Sequence, residues 1–169
     1  MNNIKILIIA LLIRFTTLSQ TKEDALRDAR ITSKATLSED FSTVLEHTLP
    51  SVTNLMGGKE KALNMIKISF DNMKKQGFVF EKADVVNVSE IVNEQGQYRC
   101  YIEGLNQMKL PHMRIKSKSY LLGIYDADGK KWWFIEAEKM KNKAILDQIL
   151  PNFKTSLIIP KDEITTESL

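Results

Sequence analysis

Apolar positions along this chain change their spacing once, near residue 78. Before that point they recur every three to four residues, the period of a helix; after it they alternate or run together, as in strands. Thr21 to Thr36 is polar with small apolar residues at Ala25, Ala29 and Ala35, which predicts a helix packed through a small face. Thr36-Leu-Ser-Glu39 is a capping-box pattern, and Ser38 is an alternative N-cap with Glu39 and Asp40 in the first turn. A second helix follows with Phe41, Val44, Leu45 and Thr48 on one face. Pro50 bends or restarts the chain, and Val52, Leu55 and Met56 carry the stripe to Gly57-Gly58. The third helix, Lys59 to Gln76, has Ala62, Met65, Ile66, Phe70 and Met73 as its expected buried face. Lys74, Lys75 and Gly77 form its C-terminal signature.

The strands come afterwards. Phe78 to Val92 is β-rich, but its alternation slips, which predicts a bulge or bend. Asn93-Glu-Gln-Gly96 reads as a turn, Tyr98 to Leu110 as a second strand with a bulge at Gly104, and Pro111 to Arg114 as a second turn. Ser117 to Ala137 is the strongest hairpin signal: two runs rich in β-branched and aromatic residues flank Asp126-Ala-Asp-Gly129. Lys143 to Leu150 predicts a short helix stopped by Pro151. Leu157-Ile-Ile159 is expected against the sheet, and Lys161 to Leu169 as a polar, flexible tail. The expected class is α+β: three N-terminal helices cradled by a curved antiparallel meander of about four strands, with a short C-terminal helix.

A length of 169 residues suits one domain, expected over 21–160. Met1 to Gln20 has another character. Lys5 precedes the apolar run Ile6 to Ile13, and Thr17-Leu-Ser19 fits a small-x-small cleavage site, the layout of a secretory signal over 1–19. The run is shorter than the ~20 residues needed to span a bilayer. A buried N-terminal strand is the alternative reading, and no Cys lies nearby for a bacterial lipid anchor. Removing Lys5 and Arg14 with the signal lowers the formal charge from +3 to +1. A near-neutral chain has no general electrostatic reason to hold nucleic acid or anionic membrane. Export implies a periplasmic or extracellular protein. With Cys100 as its sole cysteine, stability must come from the core; Cys100 reads as a buried small hydrophobe.

The block Ser38 to Glu46, the helix after Gly57-Gly58, and the closing run Lys131-Trp-Trp-Phe-Ile135 resemble the ketosteroid-isomerase and nuclear-transport-factor type of α+β cone (SnoaL-like, cystatin-like). The resemblance spans residues 22 to 137 in element order. It implies a curved sheet around a long helix, with a pocket at the wide end. Members include isomerases, cyclases, dehydratases and non-catalytic binding domains, so the fold does not choose among them. No position here aligns with the catalytic Asp of the isomerases.

Candidate pocket residues are Met65, Phe70, Tyr101, Glu103 and Glu136. The Met-rich stripe suits an adaptable wall, although core packing explains it too. Glu136 alternates with Trp132 and Phe134; on a buried face it would be a desolvated carboxylate, a base or ligand contact. Ile135 and Ala137 continue an apolar set, which favours the reading in which Glu136 is solvated. Tyr101 offers a hydroxyl of the kind found in oxyanion holes. His47, following Glu46 near a helix end, suits the helix dipole. Two isolated histidines make no metal site, Asp126 to Gly129 lacks EF-hand spacing, and Gly57-Gly58-Lys59 is not a phosphate loop. No cofactor is implied. The expected function is an exported ligand-binding or accessory domain without catalysis, taking a small apolar molecule or a protein partner. A homodimer through the sheet fits the paired Trp132 and Trp133. The alternative is an isomerase or dehydratase using Glu136 or Glu103 as base, with Tyr101 as donor.

Overall fold

A computed structural model describes residues 21–169; the expected export signal lies outside the described residues. Helix α1 (Lys22–Leu37) opens on a capping box in which Thr21 Oγ1 accepts the Asp24 N–H at 3.1 Å and the Asp24 carboxylate answers to Thr21. Ser38 closes α1 by donating its N–H to Lys34 O, so the expected cap at Thr36 or Ser38 falls instead on Asp40, which accepts the Thr43 N–H at 3.2 Å. Two short helices follow, α2 (Phe41–Glu46) and α3 (Pro50–Leu55). Pro50 restarts the chain at the first position of α3, where its missing N–H costs nothing. Among the described residues four helices therefore precede the first strand, not three, the last being α4 (Lys59–Lys75).

The sheet is antiparallel and, among the described residues, has six strands: β1 (Val79–Val88), β2 (Val92–Glu94), β3 (Gln97–Leu110), β4 (Met113–Asp126), β5 (Lys131–Glu136) and β6 (Glu163–Ser168). Long β3 and β4 form its spine. On the outer side of β3, β2 pairs with Gln97 to Arg99 and β1 with Ile102 to Lys109. On the outer side of β4, β6 pairs with Met113 to Lys118 and β5 with Leu121 to Asp126. The expected single strand 78–92 is thus two strands. Its slipped alternation is explained by register shifts at Phe80/Lys82 and Val85/Asn87. The bulge expected at Gly104 sits across the ladder, because the unpaired extra residues belong to β1. The tail expected to be flexible is β6, paired through Lys116–Glu167 and Lys118–Glu163 as well as its backbone.

Both faces of the β4–β5 end are covered. Strand alternation puts Trp132 and Phe134 on one face with Cys100 and Ile102, and there Ala25 and Ala29 let α1 approach closely. Trp133 and Ile135 fall on the other face with Leu122 and Ile124. There α5 (Lys143–Ile149) and the segment through Leu157 and Ile159 seal them. The face expected to serve as a dimer surface is, at Trp133, already used within the chain. α4 packs on α2 and α3 and reaches β1 through an edge-to-face series, Phe41–Phe70–Phe78–Phe80, with centroids 5.1–5.7 Å apart. The helix that lies along the sheet is α1, not α4.

A cavity between the first helix and the sheet

The stripe of α1 that faces the sheet changes character along its length. Ala25 and Ala29 pack tightly at one end. One and two turns later the same stripe offers Thr32, Ser33 and Thr36, too short and too polar to fill the space beneath them. Opposite lie Ala83 and Val85 of β1, Gly104 and Asn106 of β3, and Ser119 of β4, all small or medium side chains. The result is a cavity of about 730 Å³. Val44, His47, Thr48, Val52 and Leu55 from α2, α3 and their junction wall one side, and Phe134 to Glu136 of β5 another. Its far rim is the break between β5 and β6 on the edge of β4, where Asp162 accepts the Tyr120 N–H at 3.3 Å.

His47 is fixed by β5. Its Nδ1 lies 3.1 Å from Trp132 O and its ring stacks on Phe134 at 6.5 Å. The main chain on either side of it completes the strand edge: Phe134 N–H donates to His47 O at 2.7 Å, and Leu49 N–H to Phe134 O at 3.0 Å. The wall hydroxyls are equally committed. Thr32, Thr36 and Thr48 donate to the carbonyls of Asp28, Thr32 and Val44 at 3.0, 3.0 and 2.9 Å, and Ser33 donates to Ala83 O. Asn106 Nδ2 donates to Ser119 Oγ at 2.9 Å.

Of the residues expected at a site, only Glu136 borders the cavity. It is exposed there, 3.6 Å from Lys139 Nζ, at the end of the Trp132–Phe134 face. Tyr101 and Glu103 pair across β4 with Leu122 and Tyr120 and so face the opposite side of the sheet. There Tyr101 packs edge-to-face on Tyr120 at 5.8 Å, and Glu103 lies 4.0 Å from Lys118. Burial pushes the Tyr120 hydroxyl up, with Glu103 adding to it. Phe70 is core, between Phe41 and Phe78. Met65 is 53% exposed on α4, because α4 turns its Ala62–Phe70 side to α2 and α3. The cavity residues His47, Thr32, Ser33, Thr36, Asn106 and Ser119 were not singled out as candidates. The signal available for three of them was the stripe Ala25, Ala29, Thr32, Ser33, Thr36, whose polarity rises along one helix face.

Cys100 is fully buried, and desolvation pushes its thiol up to about 12. Among the described residues no three His, Cys, Asp or Glu side chains gather as a metal site, and no helix is long and apolar enough to cross a membrane. Compared with protein-family models, curated proteins and solved structures, the chain matches none.

Proposed function

We propose that this chain is a small exported ligand-binding domain of the α+β cone type, without catalysis, that holds an apolar small molecule between α1 and the sheet. The cavity carries this reading. Its volume of about 730 Å³ lies within the range of small-molecule sites, and its surface is largely apolar, with hydroxyls, an imidazole, an amide and carboxylates set among the aliphatic side chains. Export rests on the layout of Met1 to Gln20. The isomerase alternative draws no support from the positions of its proposed groups. Tyr101 and Glu103 lie across the sheet from the cavity, and Glu136 is solvated and paired with Lys139.

The test is a fluorescence titration with N-phenyl-1-naphthylamine, an uncharged apolar probe. Gly104→Leu fills the cavity from its floor: a Cβ there has its nearest neighbour, Asp84 O, at 3.4 Å, so the first carbon fits and the rest projects into the space. The expected result is saturable binding that falls about tenfold or more in Gly104→Leu while the unfolding midpoint holds. Equal binding by both chains would sink the reading.

A further inference from the structure

The cavity is rich in hydrogen-bond acceptors and poor in donors. Each hydroxyl of Thr32, Ser33, Thr36 and Thr48 has one proton, and each gives it to a main-chain carbonyl. What these side chains still present is lone pairs. Asn106 gives one N–H to Ser119 and keeps its carbonyl oxygen, so that among the described residues the donors this wall leaves open are the second Asn106 N–H and, of the five serine and threonine hydroxyls, the proton of Ser119. His47 follows the same logic. Trp132 O can only accept, so Nδ1 carries the proton, and in the neutral ring Nε2 is left as an acceptor with no donor among the described residues.

Charge acts in the same direction. Among the described residues, Asp84, Glu136, Glu138 and Asp162 border the cavity against one ammonium, Lys139, which is engaged with Glu136. Asp84 is matched by Lys82 at 2.8 Å and Glu138 by Lys141, so these acids are partly compensated, but among the described residues bordering the cavity no ammonium or guanidinium is left for an incoming anion. A carboxylate head entering the cavity would meet lone pairs and like charge.

Building on the ligand-binding reading, we infer that the cavity selects apolar molecules bearing a hydrogen-bond donor, a hydroxyl or amino head, and rejects carboxylates, with His47 Nε2 as the central acceptor. Burying such a head satisfies groups that water would otherwise have to reach. Burying an ether in its place leaves them unpaired.

Three probes sharing one ring system separate the possibilities: 2-naphthol, 2-methoxynaphthalene and 2-naphthoate, titrated against the full chain at mildly alkaline pH, where imidazoles are neutral. The naphthol should bind about fivefold tighter than the methoxy compound, with the naphthoate weakest. In His47→Asn the amide N–H can keep the bond to Trp132 O while the Nε2 acceptor disappears. The naphthol advantage should then fall to about twofold or less, with the methoxy compound unaffected. Nitrogen NMR of the unaltered chain, which has only two histidines, should show His47 protonated at Nδ1, with the Nε2 resonance moving on addition of 2-naphthol. Preference for the ether or the naphthoate, the opposite tautomer, or an unchanged ratio in His47→Asn would overturn the inference. Binding of N-phenyl-1-naphthylamine without binding of any of the three overturns this inference alone. Failure of all four probes removes the ligand-binding reading with it.

Discussion

Asp28 and Trp132 are 104 positions apart, yet the buried Asp28 carboxylate accepts the Trp132 main-chain N–H at 2.9 Å. β5 lies at the margin of the sheet and would otherwise leave that N–H without a ladder partner. Asp28 and the His47–Leu49 segment together take the backbone groups that β5 turns outward, so α1 and the α2–α3 junction replace a neighbouring strand. Asp28→Ala should cost about 1–3 kcal/mol in urea unfolding, because a buried donor is left unpaired. Asp28→Asn, which keeps an acceptor, should cost less. Equal stability of Asp28→Ala and the unaltered chain would show that water satisfies this N–H.

Gly123 of β4 sits where side chains of its two neighbouring strands, β3 and β5, crowd together. A Cβ there would stand 3.1 Å from Cys100 Sγ and 3.3 Å from both Phe134 Cε1 and Trp132 Cε3. Gly123→Ala should destabilise by about 1–3 kcal/mol through overpacking. Cys100→Ala removes the nearest of those atoms, so the double variant should lose less than the sum of the two single changes. Strict additivity measured by thermal unfolding would mean that the strain is relieved elsewhere.

Arg99 fastens the C-terminal segment over the outer core. Its guanidinium is almost wholly buried, lies 4.6 Å over the Phe153 ring, and donates to Lys154 O at 2.6 Å and to Gln95 and Gln97. Desolvation pushes this guanidinium down, partly offset by Glu94. Arg99→Ala should cost about 2 kcal/mol or more and speed limited proteolysis between residues 150 and 160. Cleavage at the original rate would show that Leu157 and Ile159 hold the segment without it.

Glu81 is the unpaired residue of the first β1 bulge, and its carboxylate meets Arg114 at 2.8 and 3.2 Å and Gln107 at 2.8 Å. Arg114 first, then Gln107, holds its carboxyl at about 2, below the ordinary 4.5. The folded chain therefore binds this proton more weakly than the unfolded one. The stabilisation is complete above pH 4.5 and is lost as pH falls through about 2. Glu81→Gln should flatten the stability profile across that window, lowering stability above pH 4.5 and leaving it nearly unchanged below about pH 2, where both side chains are uncharged. An identical acid limb in both chains would assign the acid sensitivity to other carboxylates.

Much of the architecture was legible because it is local. The Asp126–Gly129 hairpin, the helix after Gly57-Gly58, the stop before Pro151 and the packing of Leu157 and Ile159 each follow from a few adjacent residues. The slipped alternation in 78–92 announced irregularity, and the structure resolves it into two bulges and a strand break. The candidate site was far less legible. Tyr101 and Glu103 were correctly placed on one strand face, but a strand does not record which of its faces meets a helix and which meets the C-terminal segment.

The order of segments, their period, and the small side chains that let α1 approach the sheet were set by the sequence itself, since hydrophobic spacing and turn chemistry act over a few residues. Tertiary structure alone decided which helix lies along the sheet, that Glu163 to Ser168 completes the edge of β4, and that His47 meets Trp132. Those outcomes depend on contacts 45 to 104 residues apart, where a carbonyl or N–H left open by one strand selects its partner from whatever the rest of the fold brings near.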